Sequence, residues 1–184
     1  DEIYPEGFAT FVNVEGLTDT LEGASRPGHF RGVATVVTIL FNTIRPDTAF
    51  FGQKDTQQVA VIKRLTRDLG FETEIVVVPT VREESGLAMS SRNERLSEEG
   101  RKKAAVIIEA LRAAKTAFKK GERDAADLAE IVRNRIGGEP AATIDYVAIV
   151  DRDSLQTVEK VGDDETLIAV AAEFEGVRLI DNVI

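Results

Sequence analysis

The 184 residues contain no cysteine. That removes disulfides, thiolate zinc sites and cysteine nucleophiles together, and it fits a reducing compartment, the cytoplasm. Histidine is nearly absent, His29 being the single one. No grouping of His, Asp and Glu has metal-ligand spacing, and Asp163-Asp164-Glu165 reads as a solvated turn. No apolar run approaches the ~20 residues that span a bilayer, so a membrane protein is not expected. Basic charge is scarce: 23 Lys and Arg stand against 32 Asp and Glu, a net charge of −9. Both halves share the deficit, with 7 basic and 11 acidic residues in 1–80 and 16 and 21 in 81–184. No basic face results, which argues against nucleic acid as a partner. A basic, apolar, small-residue leader is also missing, and the opening Asp1-Glu2-Ile3-Tyr4 reads as the interior of a longer chain.

What remains is an ordinary soluble composition, 43% hydrophobic and 30% charged, long enough for one good-sized domain or two small ones. Residues 8–14, rich in β-branched and aromatic types, predict a strand. From Gly32 to Ile44, Val33, Val36, Val37, Leu40, Phe41 and Ile44 recur at three- and four-residue spacing, the stripe of a helix that Pro46 stops. Asp47–Phe51 predicts a short strand. A helix capped by Asp55 follows, with Val59, Ile62, Leu65 and Leu69 inward and Gly70 just past its end. Glu74–Val78, almost continuously apolar, predicts a strand buried on both faces. Strand, helix, strand, helix, strand is the signature of βαβ units and a parallel sheet.

After Pro79 the pattern changes. Residues 81–96 form a polar loop. Ser97 caps a long helix with Glu98 and Glu99 in its first turn and Ile107, Ile108, Leu111, Ala114 and Phe118 on its inner face. A second helix starts after Asp124 with Leu128, Ile131, Val132 and Ile136 inward. Three strands close the chain, Ile144–Val150, Leu167–Ala171 and Val177–Ile180, separated by turns rich in Asp and Gly. The expected fold class is α/β: an incomplete Rossmann-like parallel sheet portion in 1–80, then a smaller α+β domain with an antiparallel sheet in 81–184. A cleft between the two would be the usual place for a substrate.

Two stretches carry chemistry. Phe50-Phe51-Gly52-Gln53-Lys54-Asp55-Thr56-Gln57-Gln58 reads as a strand running through a glycine turn into a helix, aiming backbone N–H groups and a positive helix end at whatever sits above. Gly86-Leu87-Ala88-Met89-Ser90-Ser91-Arg92-Asn93 places two hydroxyls and a guanidinium side by side. With Lys54 this makes a mobile point charge, a bidentate fork and neutral donors, a set suited to a polyphosphate. Each stretch alone is most simply local punctuation: glycine turns with a following Asp are common, and serine and asparagine favour turns for backbone reasons. An acidic chain handling an anion must concentrate positive charge locally, and Arg26, Arg31, Lys54, Arg82 and Arg92 are the candidates.

The joint occurrence of five ordered motifs decides between those readings. Arg26-Pro27-Gly28-His29-Phe30-Arg31-Gly32-Val33, the Phe-Gly-Gln-Lys-Asp turn, Pro79-Thr80-Val81-Arg82-Glu83, the Met-Ser-Ser-Arg-Asn loop and Arg178-Leu179-Ile180-Asp181-Asn182 resemble the pantothenate synthetase family, ATP-dependent ligases joining pantoate to β-alanine. The resemblance extends along nearly the whole chain and covers the C-terminal two-thirds of such an enzyme. The family's N-terminal His-x-Gly-His nucleotide motif has no counterpart here.

The resemblance implies ATP as substrate with Mg2+, pantoate and β-alanine as the other substrates, and a homodimer in the cytoplasm. It implies catalytic roles for Lys54, Ser90, Ser91 and Arg92. It further implies an ATP site of Gly52, Gln53, Lys54, Asp55, Val81, Met89, Ser90, Ser91 and Arg92, and pantoate recognition by Gln58. His29 would position groups near the site rather than transfer protons. Two other readings stand beside this one: another adenylyl or nucleotidyl transferase of the same superfamily plan, and a non-catalytic chain that folds but lacks part of the ATP site.

Overall fold

The computed structural model describes residues 3–162 and 166–184; Asp163, Asp164 and Glu165, where a solvated turn is expected, lie outside the described residues. The chain divides into two compact units, Asp1–Val78 and Pro79–Ile184.

In the first unit, α1 (Leu21–Ser25) and α2 (His29–Ile44) precede β1 (Thr48–Gly52), α3 (Thr56–Asp68) and β2 (Glu74–Val78). β1 and β2 pair in parallel, from Thr48 opposite Glu74 to Gly52 opposite Val78. The helical stripes hold only in part. Val37 and Phe41 of α2 meet Ile62 of α3, with Ala49, Phe51, Phe71 and Ile75 packed around them. Leu40 and Ile44 at the end of α2 and Leu69 just after α3, expected inward, are instead 37%, 65% and 52% exposed. Phe41 and Phe71 meet edge to face at 5.4 Å between ring centres. Gly70, at φ +67°, takes the left-handed position just past α3 that an L-residue would occupy at a cost.

Several expectations need correction. Residues 8–14 form no strand. A strand exists only with a backbone partner, and here the Val12 N–H donates instead to the Thr35 hydroxyl on α2 at 3.0 Å. The aromatic residues serve side-chain packing, Tyr4 against Phe8 and Phe8 against Phe11 edge to face, with the Arg31 guanidinium 4.0 Å over Phe11. Second, β2 is not buried on both faces. Helices cover one face of the pair, while Phe50, pointing the other way, is 68% exposed. Third, Asp55 stands at the N-cap position of α3 but accepts no capping hydrogen bond. The chain enters α3 through a 3-10 turn, Gln53–Asp55, leaving Asp55 at φ −95°, ψ 53°, outside the extended conformation from which a cap side chain reaches back.

The second unit contains α4 (Glu98–Ala104), α5 (Val106–Lys119), α6 (Ala125–Gly137), β3 (Ala142–Asp151), β4 (Thr166–Phe174) and β5 (Val177–Val183). The single long helix expected after Ser97 is two, because at Ala105 the N–H turns to the Lys102 carbonyl three residues back and the register breaks. Caps agree with sequence at two helix starts: Ser97 Oγ accepts from Gly100 N, and the Asp124 carboxylate accepts from Ala126 N and Asp127 N. The three strands form an antiparallel sheet in the order β3-β4-β5. Ile107, Ile108, Leu111, Leu128, Val132 and Ile136 from the helices and Val147, Ile149, Ile168, Val170, Phe174 and Leu179 from the sheet make one core.

The turn after β4 reaches back to the start of α4. Glu175 accepts from Ser97 N at 2.8 Å and Ser97 Oγ at 2.7 Å. The hydroxyl bond, with the backbone bond behind it, holds the Glu175 carboxyl below the usual carboxylate range. Gly100 makes room for it, since a Cβ there would lie 2.6 Å from the carboxylate.

Candidate active site

The residues singled out by sequence fall into two groups, one on each unit. In the first unit they follow β1. Gly52 is the last residue of that strand, at φ −74°, ψ 133°, so the turn expected at the glycine is instead a strand end. Any residue could adopt this backbone, and no protein atom lies within 4 Å of where a Cβ would stand. Nothing in the protein's own packing therefore asks for glycine here. Gln53, Lys54 and Asp55 form the 3-10 turn, with Lys54 half-buried and Asp55 exposed.

One turn on, two adjacent glutamines divide their duties. Gln57 is buried: its Oε1 accepts from Glu22 N at 2.9 Å, and its Nε2 donates to the carbonyls of Leu17 and Thr20, both at 2.8 Å. It thereby fastens the loop before α1 to α3, a structural role that sequence reasoning missed. Gln58 is half-buried and its side chain makes no hydrogen bond to the described residues, leaving that amide for something else.

His29 opens α2, and the Arg26 guanidinium lies 3.1 Å from its Nε2. The guanidinium has only donors, so Nε2 accepts and the proton of a neutral ring sits on Nδ1. A pocket of about 380 Å3 beside this pair is lined by Asn13, Thr18, Asp19, Arg26, Gly28 and Arg31, which brings together two of the expected cations.

In the second unit, residues 81–89 form a small hairpin. Met89 N donates to Val81 O and Glu83 N to Leu87 O, both at 2.9 Å, and Arg82 bridges Ala88. Gly86, at φ +90°, turns the chain where a Cβ would press against Ile108 at 3.0 Å. Val81 and Met89 end up side by side at the open end, 62% and 56% exposed, an apolar pair facing water. Arg82 alternates to the other side. Its Nη1 and Nη2 donate to the two Asp181 oxygens at 2.6 and 3.0 Å, and Nη1 also reaches Gly86 O at 3.1 Å. Asp181 is 4% exposed, so this is a buried bidentate pair. Arg82, expected among the cations for an anionic substrate, is thus committed to β5.

Ser90 then stands extended, its Oγ accepting from Arg92 N at 3.2 Å, and Ser91–Arg95 form a 3-10 turn. Ser91 is exposed and its hydroxyl makes no hydrogen bond to the described residues. The Arg92 guanidinium gives one Nη1 bond to Arg178 O at 3.3 Å, and its other N–H groups meet no acceptor among the described residues. One short segment thus carries the exposed Ser91 hydroxyl, the Ser90 hydroxyl that caps the turn, and a guanidinium engaged at a single N–H, with no carboxylate hydrogen-bonded to them among the described residues. Among the described residues no group of His, Cys, Asp and Glu could hold a metal ion, and no helix is long and apolar enough to cross a membrane.

The sequence profile described as pantoate-beta-alanine ligase matches residues 1–184. The chain belongs to that family. Pantothenate synthetases from Acetivibrio thermocellus and Heliobacterium modesticaldum are similar to it, 52% and 55% identical over 183 residues, covering 100% of this chain and 65% of each relative. A crystal structure of pantothenate synthetase from Thermus thermophilus superposes with a TM-score of 0.94 at 49% identity, over 99% of this chain and 66% of that one. The pantoate-beta-alanine ligase of Francisella tularensis, solved in complex with beta-gamma ATP and beta-alanine, gives a TM-score of 0.76 at 34% identity, over 99% of this chain and 60% of that one. The chain thus spans about two thirds of the length of these ligases.

Proposed function

We propose that this chain supplies the acceptor-binding and pyrophosphate-binding part of an ATP-dependent ligase that condenses pantoate with β-alanine. The pantoate carboxylate attacks the α-phosphorus of ATP, forming pantoyl adenylate and releasing pyrophosphate. The β-alanine amine then attacks the acyl carbon and displaces AMP. Neither step needs a protein nucleophile, so positioning and charge stabilisation carry the rate.

The observation that carries the reading is the Ser90–Arg92 segment, with Ser91 exposed, the Arg92 guanidinium engaged at a single N–H, and no carboxylate hydrogen-bonded to either among the described residues, in a chain whose whole length matches the family. Lys54, Ser90, Ser91 and Arg92 neutralise charge on the α-phosphate and the departing pyrophosphate. Gly52 lets the nucleotide approach the backbone at the end of β1, where no Cβ intrudes, and Gln53 and Asp55 line the same turn. Val81 and Met89 form an apolar seat for the adenine end, and Gln58 reads the hydroxyl and carboxylate of pantoate. Magnesium would arrive as the counter-ion of ATP, held mainly by phosphate oxygens and water, since no group of His, Asp and Glu among the described residues could hold it. The enzyme so formed is a cytoplasmic homodimer.

Lys54→Ala tests the assignment in a chimera joining this chain to the part of the Thermus thermophilus synthetase that it does not cover. Pyrophosphate release should fall ~10²-fold, the scale of a lost electrostatic stabiliser, with circular dichroism unchanged. Pyrophosphate formed at the parental rate would remove Lys54 from the reaction.

A further inference from the structure

Asn93 closes the Met-Ser-Ser-Arg-Asn motif, yet the reaction above gives it nothing to do. It is 2% exposed, far too deep to meet a substrate itself. Its side-chain amide donates twice, from Nδ2 to Glu83 Oε1 at 2.6 Å and to Ala88 O at 3.1 Å. Those two acceptors lie on opposite strands of the 81–89 hairpin. Exchanging the amide oxygen and nitrogen would set oxygen against oxygen at both contacts, so the orientation is fixed by its neighbours. The backbone around Asn93 is held as well. Its N–H donates to Ser90 O at 3.0 Å, and its carbonyl accepts from Leu96 N at 3.1 Å and from Arg101 Nε at 2.9 Å. One residue therefore ties three things together: the hairpin that ends in Met89, the 3-10 turn that presents Ser91 and Arg92, and α4.

We infer that Asn93, acting through Glu83, is the positioning residue of the Ser90–Arg92 segment. The proposal rests on the reading of that segment as the polyphosphate side of the site. The physical need is plain. Ser91 and Arg92 have few bonds of their own, and donors that must meet a developing charge are effective only when they need not reorganise to do so. A short segment carrying free donors would otherwise sample many conformations. The Asn93 amide removes that freedom from below, without occupying the outward face. The bond to Glu83 is charge-assisted and short, which makes it the stronger half of the clamp.

Two substitutions separate positioning from mere stability. Asn93→Asp keeps the shape and replaces the donating NH2 by an oxygen facing the Glu83 carboxylate and the Ala88 carbonyl, so the clamp is repelled. Adding Glu83→Gln to it restores a donor on the other side and should recover most of the loss. Hydrogen exchange on this chain is the first readout. With N93D, amides of residues 89–93 should exchange about tenfold faster while those of α5, α6 and β4 keep their protection. The second readout is steady-state kinetics of the same variants in the chimera described above. The kcat for pyrophosphate release should drop on the order of 10²-fold for N93D, the effect of a misplacement near 1 Å, with KM for pantoate within twofold. The E83Q/N93D pair should return to within about fivefold of the parent.

Unchanged exchange of residues 89–93 in N93D, or no recovery in the double variant, overturns the proposal. A parental chimera that folds but makes no pyrophosphate would overturn the functional reading instead, while the exchange data still decide whether Asn93 holds the segment. Should N93D not fold, Glu83→Ala carries the test, because it removes only the charge-assisted half of the clamp. Parental exchange at 89–93 in that variant would equally refute the inference.

Discussion

Removing Arg82 should damage the second unit more than any single truncation on its surface, and the structure gives the size. Asp181 is 4% exposed, and its two oxygens accept from Arg82 at 2.6 and 3.0 Å. Without the guanidinium, the carboxylate keeps, among the described residues, the Asn182 N–H alone at 2.8 Å. Breaking one side of a buried pair costs about 3–5 kcal/mol, since an uncompensated charge stays behind. Arg82 itself is 20% exposed, so water reaches part of the site and the lower end, about 3 kcal/mol, applies. For a unit of this size each kcal/mol moves the midpoint by roughly 4 °C, so Arg82→Ala should lower the unfolding temperature by about 12 °C. Thermal melting followed by circular dichroism at 222 nm reads this directly. The double replacement Arg82→Met with Asp181→Leu should recover most of the loss, because an apolar pair leaves no stranded charge. An Arg82→Ala protein melting within about 2 °C of the parent would refute the reasoning.

Further expectations concern single side chains. Gln58→Ala in the chimera should raise KM for pantoate far more than KM for ATP. Gln57→Ala should instead lower stability, because it frees Glu22 N and two carbonyls; equal effects of Gln58→Ala on both substrates would cancel its assignment. Glu175, with its pKa depressed by Ser97, contributes stability that is present above the ordinary glutamate range and lost as pH falls through its folded value. Acid titration of unfolding should therefore show a loss below the ordinary glutamate range that Glu175→Gln abolishes, and an identical acid limb in both proteins would contradict it.

Local pattern made much of the fold legible. The stripes of α2, α3 and α6 were readable because one face of each is buried and recurs at helical spacing, and the apolar runs of β1 to β5 lie within a few residues of the observed strands. Where sequence misled, it did so for want of a partner. Residues 8–14 have strand composition without a strand beside them, and Asp55 is a capping residue without capping geometry. The chemistry of the candidate site was visible in residue type, Ser91 and Arg92 above all. Its support was not. Arg82 and Asp181 are 99 positions apart, so their pairing had no local signal and Arg82 read as a free cation. Gln57 and Gln58 are identical in type, and only the fold separates a buried clamp from an available amide.

Pantoate-dependent pyrophosphate release is the most direct measurement. The chimera of this chain with the uncovered part of the Thermus thermophilus synthetase, given ATP, magnesium and pantoate but no β-alanine, should release pyrophosphate in about one equivalent per site, with adenylate retained. This chain alone should release none. A folded chimera releasing pyrophosphate without regard to pantoate, or full turnover by the isolated chain, would contradict the division of the site proposed for these residues.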